Sequence, residues 1–235
     1  MKRFRLILFT PPIILAMCPA NALYAETTRA EASGFVSLEA NNLTVKNVAV
    51  KPSRYRGSAA ALVTVDPFNP ADDDTFAKVD GIAFTDFTLD VSVAGKPIDT
   101  TSSARGFVGI AFRVSDDLER FEAIYIRPTN GRADDQLRRN HSTQYISHPG
   151  YPWEKLRNDY PGQYESYVDL EAGAWTRLRL KVRGSSARLY VNGAKQPALI
   201  VNDLKLPVSK GGIGVWVGPG SEGYFKSLRV TATQR

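Results

Sequence analysis

Residues 175–193 read WTRLRLKVRGSSARLYVNG, and this stretch gives the clearest indication of the fold class. Apolar and basic side chains alternate through 175–182, which is the period-two pattern of a half-buried β-strand. A Gly-Ser-Ser turn at 184–186 separates this strand from a second one over 187–191, so the stretch predicts a β-hairpin. One face of the first strand is basic and is either solvated or available to an anionic polysaccharide; it carries Arg177, Arg179, Lys181 and Arg183.

Short segments of the same kind recur along the chain, bounded by Gly, Pro, Asn and Asp. The predicted strands are 43–50, 58–65, 84–94, 107–114, 121–127, 175–182, 187–191, 213–217 and 224–231. Many short strands joined by turns predict an all-β fold, a two-sheet antiparallel β-sandwich of the jelly-roll kind. Because neither a repeat nor a second zone of composition occurs, we expect a single domain over residues 26–235.

The alternation within the strands also predicts which side chains are buried between the sheets. The expected core residues are Phe112, Ile124, Leu180, Leu189 and Val215. We also expect Trp216 to be a core aromatic, since apolar residues surround it in the sequence.

The chain has 235 residues, of which 43% are hydrophobic and 23% charged, as is typical of a globular protein. Residues 1–25 are predicted to be a signal peptide, because a basic start precedes an apolar stretch over 6–17 and Ala-Asn-Ala at 20–22. We expect cleavage after Ala22 or Ala25, and export to the periplasm or the outside of the cell.

Removal of residues 1–25 takes away three positive charges and no negative one, so the net charge falls from +6 to +3. This small charge gives little support to nucleic-acid binding, and we predict no nucleic-acid partner. The apolar stretch is too short for a permanent membrane span. The single cysteine, Cys18, lies in the same segment, so the core must form without disulfides, and the bulky Met17 before it argues against a lipid anchor.

Residues 129–174, here called the aromatic segment, break the strand pattern. They hold both histidines, five of the ten tyrosines and Trp153. Disordered segments are poor in aromatic residues, whereas long ordered loops in compact domains are usually functional. We therefore expect an ordered excursion that covers one end or one face of the sandwich.

The predicted strands resemble those of a known superfamily. Residues 175–182 with 187–193 look like the paired strands of laminin-G-like and concanavalin A-like jelly rolls, and 211–218 with 224–230 are similar to their closing strands. The resemblance implies the jelly-roll fold, which lectins, glucanases, lyases and adhesion modules share.

A finer resemblance is carried by two shorter stretches. Residues 109–113 (GIAFR) with 125–130 (YIRPTN) resemble a bacterial branch, the 3-keto-disaccharide hydrolase domain family. This resemblance implies either an exported module that binds a polar or anionic saccharide, or a glycoside hydrolase that acts on 3-keto-disaccharides or related oxidised sugars. The hydrolase would need a histidine or a carboxylate in the cleft, whereas the module needs only aromatic and hydrogen-bonding groups.

Known catalytic patterns are missing from the sequence. The Glu-x-Asp-x-Glu strand of retaining glucanases does not occur, and residues 87–91 offer a single acid, Asp90. Gln144 and His148 have the residue types of an alginate-lyase site but not its spacing. No nucleophile elbow, phosphate loop or zinc-helix spacing is present, so no cofactor is predicted.

A constellation of side chains on one predicted hairpin remains. Arg113 and Arg127 should point to the same face as Tyr125, with Gly109 and Ala111 leaving space beside them. Guanidinium groups bind hydroxyls or carboxylates, and an aromatic plane supports a sugar ring, so we expect ligand binding there. Alternatively, the two arginines are structural and pair with acids such as Glu122, Asp134 and Asp135.

The aromatic segment should roof this cleft and complete the site. The further predicted ligand-binding residues are Asn130, Gln144, Tyr145 and Trp153. The candidate catalytic residues are His141 and His148, since histidine can act as acid or base near neutral pH.

An acidic loop offers oxygen ligands of the kind that Ca²⁺ prefers. The weak metal candidates in it are Asp66, Asp72 and Asp74. A solvated loop is the other interpretation, because the acids lack the spacing of a calcium motif.

Overall fold

The computed structural model describes residues 34–65, 73–99 and 104–233, so the predicted signal peptide lies outside the described residues. The described part of the chain forms two antiparallel sheets packed face to face, which confirms the predicted β-sandwich. Within it, no helix has the length and apolar character needed to cross a bilayer.

The strands in chain order are β1 (Gly34–Phe35), β2 (Leu43–Lys46), β3 (Val48–Tyr55), β4 (Ser58–Val65), β5 (Phe76–Phe84), β6 (Phe87–Pro97), β7 (Val108–Val114), β8 (Phe121–Ile126), β9 (Thr143–His148), β10 (Glu165–Ser166), β11 (Thr176–Arg183), β12 (Ser186–Val191), β13 (Leu199–Val201), β14 (Gly211–Val217) and β15 (Ser221–Ala232). Two short helices are α1 (Gln136–Asn140) and α2 (Trp153–Asp159), and 3-10 turns lie at Ala40–Asn42 and Pro128–Asn130. The first sheet has the order β13-β12-β11-β6-β15-β4-β3, with β1 paired to β15. The second sheet has the order β10-β9-β8-β7-β14-β5-β2.

The hairpin predicted over residues 175–191 is formed by β11 and β12. Strands β11 and β12 pair antiparallel with Leu180 opposite Leu189, and the side chains of β11 alternate between buried and exposed. The predicted strand over 84–94 is wrong at its start, because β5 ends at Phe84 and β6 begins at Phe87. The sequence does not reveal β5, since Asp80 and Gly81 resemble a turn, and Gly81 has a φ of +73°.

The core lies between the two sheets and takes side chains from both. The predictions for Phe112, Ile124, Leu180, Leu189 and Val215 are confirmed, because each is at most 1% exposed. A second apolar cluster, here called the outer cluster, covers the opposite face of the second sheet. It consists of Phe76, Ala111, Val114, Phe121, Ala123, Tyr125, Ile146 and Trp216. Trp216 is therefore buried as predicted, but in the outer cluster and not between the sheets.

A β-bulge at Arg113 overturns one predicted placement. Arg113 has a φ of +50°, and the pairing of β14 with β7 shifts register at this point. An inserted residue reverses the side-chain alternation that follows it, so Phe112 packs in the core and Val114 in the outer cluster. The predicted position of Arg113 on the Tyr125 face is wrong, because its side chain turns to Glu122 instead.

The aromatic segment does more than cover the sheet. It supplies β9 and β10, which extend the second sheet beyond β8, together with both helices. Gln144 and His148 therefore lie in a sheet strand and not in a roof. The part of the segment that does stand over the sheet is α2, whose Trp153 packs against the outer cluster.

Candidate functional site

A cavity of about 420 Å³ lies over the outer cluster. Its apolar lining consists of Phe107, Tyr125, Trp153 and Trp216, with Pro219 at the edge. Its polar lining consists of Asp73, Arg105, Arg127, Asn130, Arg138, His141 and Arg157. A volume of this size is typical of small-molecule sites.

The floor of the cavity is a pair of stacked rings. Tyr125 and Trp216 lie with their ring centroids 4.4 Å apart and their planes at 24°. They come from β8 and β14, on either side of β7, and Gly109 of β7 pairs with both. A Cβ at Gly109 would lie 2.4 Å from the carbonyl oxygen of Ile124, so glycine is required there. The predicted open space beside Gly109 and Ala111 is wrong, because aromatic rings fill it and Ala111 is fully buried.

Arg127 follows β8 and forms the back wall of the cavity. Its Nη1 donates to Glu165 Oε1 at 2.9 Å and to the carbonyl oxygen of His141 at 3.2 Å. Its Nη2 donates to the Tyr125 hydroxyl at 3.2 Å and to Gln144 Oε1 at 3.1 Å. The residue is 5% exposed, and four of its five N–H donors are occupied. Arg127 therefore positions the groups around it and has little donor capacity left for a ligand.

Glu165 of β10 connects two arginines and a histidine at the cavity wall. Besides Arg127, it accepts from Arg157 Nε at 3.0 Å and lies 3.5 Å from His141 Nε2. Burial alone would raise the pKa of the Glu165 carboxyl, but hydrogen bonds and charge from Arg157 and Arg127 outweigh it and hold the pKa below its ordinary value. Glu165 is therefore ionised at neutral pH and fully engaged by its partners.

His141 lines the cavity as the C-terminal cap of α1. Burial lowers its pKa below the ordinary value, and the positive charges of Arg157 and Arg127 add to this against the opposing charge of Glu165. The imidazole is therefore neutral at neutral pH and can accept a proton.

Acidification should destabilise the protein through these two groups. The pKa of His141 in the folded protein lies below its ordinary value of 6.5. As the pH falls below 6.5, the unfolded chain therefore binds a proton at this histidine more readily than the folded protein does, and the free energy of unfolding decreases. Glu165 adds a further loss below its ordinary 4.5, for the same reason. Urea unfolding at about pH 7 and about pH 5 should show a smaller loss of stability in His141→Gln than in the wild type. Equal losses in both proteins would contradict this account.

Trp153 stands at the start of α2 and forms a side wall. The guanidinium of Arg157 lies 4.5 Å from its ring centroid and that of Arg127 lies 5.7 Å away, so two cations contact the indole ring. On its far side is a groove of about 460 Å³ that shares Asp73, Trp153 and Pro219 with the cavity. His148 lines this groove and stacks on Phe121, with ring centroids 5.1 Å apart.

The structure brings together most, but not all, of the predicted site residues. Tyr125, Arg127, Asn130, His141 and Trp153 line the cavity. Gln144 is fully buried behind Arg127 and also donates from Nε2 to the carbonyl oxygens of Tyr145 and Tyr164. His148 lies in the adjoining groove, apart from His141.

Arg113 and Tyr145 lie on the other side of the sheet, in a buried polar cluster around Glu122. Arg113 Nη1 is 3.1 Å from Glu122 Oε2, and the Tyr145 hydroxyl donates to Glu122 Oε1. Burial raises the pKa of Glu122, against the hydrogen bonds from Tyr145 and the backbone N–H of Leu206 and the charge of Arg113. Both predicted contacts with the ligand are wrong in position, because this cluster faces away from the cavity.

Sequence reasoning missed Arg105, Phe107, Arg157, Glu165 and the ring of Trp216 at the cavity. The orientation of Trp216 could have been predicted, because successive residues of a strand point to opposite faces and Trp216 lies between Val215 and Val217. The position of Glu165 could not have been predicted, because a strand of two residues has no recognisable alternation of side chains.

The predicted calcium site stays a prediction, because one of its three candidate acids, Asp74, lies among the described residues. Asp74 Oδ2 lies 3.5 Å from Lys46 Nζ, while Asp66 and Asp72 lie outside the described residues. Among residues 34–65, 73–99 and 104–233, no group of three metal-binding side chains is assembled.

Comparisons with known proteins show which solved structures share this fold. No protein-family model and no curated protein matches the sequence. The carbohydrate-binding module CBM66 of Bacillus subtilis matches with a TM-score of 0.55 and 13% identity over 81% of this chain and 96% of that one. A Bacillus subtilis protein of unknown function with a galectin-like fold matches with a TM-score of 0.52 and 9% identity, over 83% and 91%.

A third structure, from Parabacteroides distasonis ATCC 8503 and proposed to be a glycosyl hydrolase, matches with a TM-score of 0.51 and 12% identity, over 82% and 94%. At these identities the likeness shows the fold alone. The chain therefore has the β-sandwich fold of galectin-like and carbohydrate-binding domains. The finer resemblance to the 3-keto-disaccharide hydrolase domain family stays a prediction.

Proposed function

We propose that this protein binds a saccharide in the cavity over the outer cluster. The observation that carries the proposal is the aromatic lining of the cavity, in which the partly exposed rings of Phe107 and Trp153 lie beside the buried stack of Tyr125 and Trp216. Aromatic planes bind the apolar faces of sugar rings, while a few placed polar groups fix the hydroxyls. The fold shared with a carbohydrate-binding module supports the same ligand class.

The ligand is an oligosaccharide and not a single sugar unit. The groove beyond Trp153 shares three lining residues with the cavity, so a chain of sugar units can continue past the indole. The second part of the site presents His148 and Tyr151 to the ligand. Export to the periplasm or the cell exterior, where such polysaccharides occur, belongs to the same proposal.

Binding is favoured over glycoside hydrolysis by the state of the carboxylates. A glycosidase needs a carboxylic acid with a raised pKa and a second carboxylate nearby. The pKa of Glu165 is lowered and its oxygens are occupied by arginines. Asp73 is the one carboxylate among the described residues that line the cavity, and the groove adds Glu154. His141 keeps the alternative open, since a neutral imidazole in the cavity can act as a base in processing a keto-sugar.

Replacement of Trp153 by alanine should weaken oligosaccharide binding by about tenfold or more, because the wall between cavity and groove is lost. Calorimetry with neutral, acidic and keto-oligosaccharides measures the affinity, and product analysis of the same mixtures detects turnover. Trp175→Ala is the matched control, since Trp175 packs on Tyr55 and Lys226, away from the cavity.

Three outcomes are distinguishable in this experiment. Binding without products, lost in Trp153→Ala and kept in Trp175→Ala, supports the binding module. Products that disappear in His141→Ala would support the enzyme instead. Binding that survives Trp153→Ala in a folded protein would place the site elsewhere.

A further inference from the structure

The charges around the cavity do not balance. Four arginines line it, and Glu165 pairs with two of them, Arg127 and Arg157. The other two, Arg105 and Arg138, form no ion pair with any residue that the structure describes. Asp73 also lines the cavity, but no ion pair joins it to either of these two arginines, so both guanidinium groups lack an acidic partner among the described residues.

These two groups are held near one another without an acid between them. Partial burial and the positive charges of Arg138 and Arg127 lower the pKa of Arg105. Within the described part of the chain, its guanidinium donates one hydrogen bond, to the carbonyl oxygen of Ala104 at 3.2 Å. The nearby Asp135 is engaged elsewhere, since its carboxylate caps α1 by accepting from the backbone N–H of Arg138. Repulsion of this kind is relieved by a bound anion.

Two buried polar atoms at the same wall also lack partners. Arg138 Nε has no acceptor, and Asn130 Oδ1 has no donor, among the described residues. Asn130 is 4% exposed, and its Nδ2 is held by the carbonyl oxygen of His141 at 3.1 Å, so its orientation is fixed. Buried polar groups in folded proteins are normally satisfied, and those that are not often mark a ligand site.

We infer that the saccharide carries an anionic group, a carboxylate or a sulfate ester, which Arg105 and Arg138 bind while Asn130 accepts from a neighbouring hydroxyl. This inference rests on the proposed function and names the ligand class of the same site. A guanidinium fork matches the two oxygens of such a group, and the fork is most effective where no internal acid competes for it.

The basic face of β11 is the other place where an anionic sugar could bind. There Arg179 is already paired with Asp90, at 2.7 and 3.1 Å, and the remaining basic side chains are exposed. Exposed cations hold an anion weakly and are screened by salt, so we favour the cavity.

The test compares trigalacturonate, its methyl ester and a sulfated galactose oligomer by calorimetry. We expect at least one acidic oligomer to bind about tenfold or more tightly than the neutral ester, because the ester cannot form the charge-assisted hydrogen bond with a guanidinium group. Arg105→Gln and Arg138→Gln should each weaken binding of the acidic oligomer more than binding of the neutral ester, and so remove most of this preference. Whichever of the two acidic oligomers binds more tightly shows whether the anionic group is a carboxylate or a sulfate ester.

Arg188→Gln is the matched control, because Arg188 is exposed on β12 of the other sheet. Loss of the preference in the double variant Arg177→Gln, Lys181→Gln, but not in the cavity variants, would move the anion to the basic face and overturn the inference. Equal affinity for acidic and neutral oligomers would also overturn it, while the proposed saccharide site would stand. Loss of all binding in Trp153→Ala, for acidic and neutral oligomers alike, reports on that site separately.

Discussion

Replacing Arg113 by alanine should lower the free energy of unfolding by about 3–5 kcal/mol, because it leaves the charge of Glu122 buried without its partner. Both side chains of this ion pair are fully buried, and Arg113 also donates to the carbonyl oxygens of Leu206 and Gly184. The folded fraction should bind ligand as tightly as the wild type does, since the pair faces away from the cavity. Urea unfolding and calorimetry measure the two effects.

Arg132→Ala is the control for this variant. Arg132 pairs with Asp169 and Glu171 at the surface, where ion pairs contribute about 1 kcal/mol or less. If Arg113→Ala keeps the stability of the wild type and loses affinity, the placement of Arg113 in the buried cluster is incorrect.

Replacing Glu165 by alanine should also lower the free energy of unfolding by about 3–5 kcal/mol, since Arg127 would stay buried without its counterion. Unlike the change at Arg113, it should weaken ligand binding as well. Arg127 and Arg157 would be released from the positions in which they hold Tyr125 and the ring of Trp153.

Glu165→Gln and Glu171→Ala complete this comparison. The glutamine keeps the acceptor oxygen but not the charge, so its stability and affinity should lie between those of the alanine variant and the wild type. Glu171 is half-exposed in its contact with Arg132, so its removal should change little. Wild-type stability in Glu165→Ala would show that the carboxylate does not hold the wall together.

Much of the fold could be predicted from local pattern, because strands such as β11 bury one face and expose the other. The alternation in β11 and β12 fixes their pairing, and the buried positions of Leu180 and Leu189 follow from it. The bulge at Arg113 could not be predicted in this way, since a positive φ at a non-glycine residue depends on tertiary partners.

Several residues of the candidate site could be predicted from the sequence, but the partners of its charged side chains could not. The parity of β8 places Tyr125 and Arg127 on one face, and the aromatic segment supplies His141 and Trp153. Pairing between distant residues decides which arginines are available to a ligand. Glu165 pairs with Arg127, whereas no acid in the described part of the chain pairs with Arg105. Sequence spacing carries no information about such partners.

The most direct test of the saccharide site uses the indole N–H signals of the three tryptophans in a ¹H–¹⁵N NMR spectrum. Trp153 and Trp216 line the cavity, whereas Trp175 packs on the other sheet against Tyr55. Titration with trigalacturonate, or with whichever oligosaccharide calorimetry finds to bind, should shift the signals of Trp153 and Trp216 and leave that of Trp175 in place. A shift of the Trp175 signal alone, or binding that leaves both cavity tryptophans unshifted, would contradict the account.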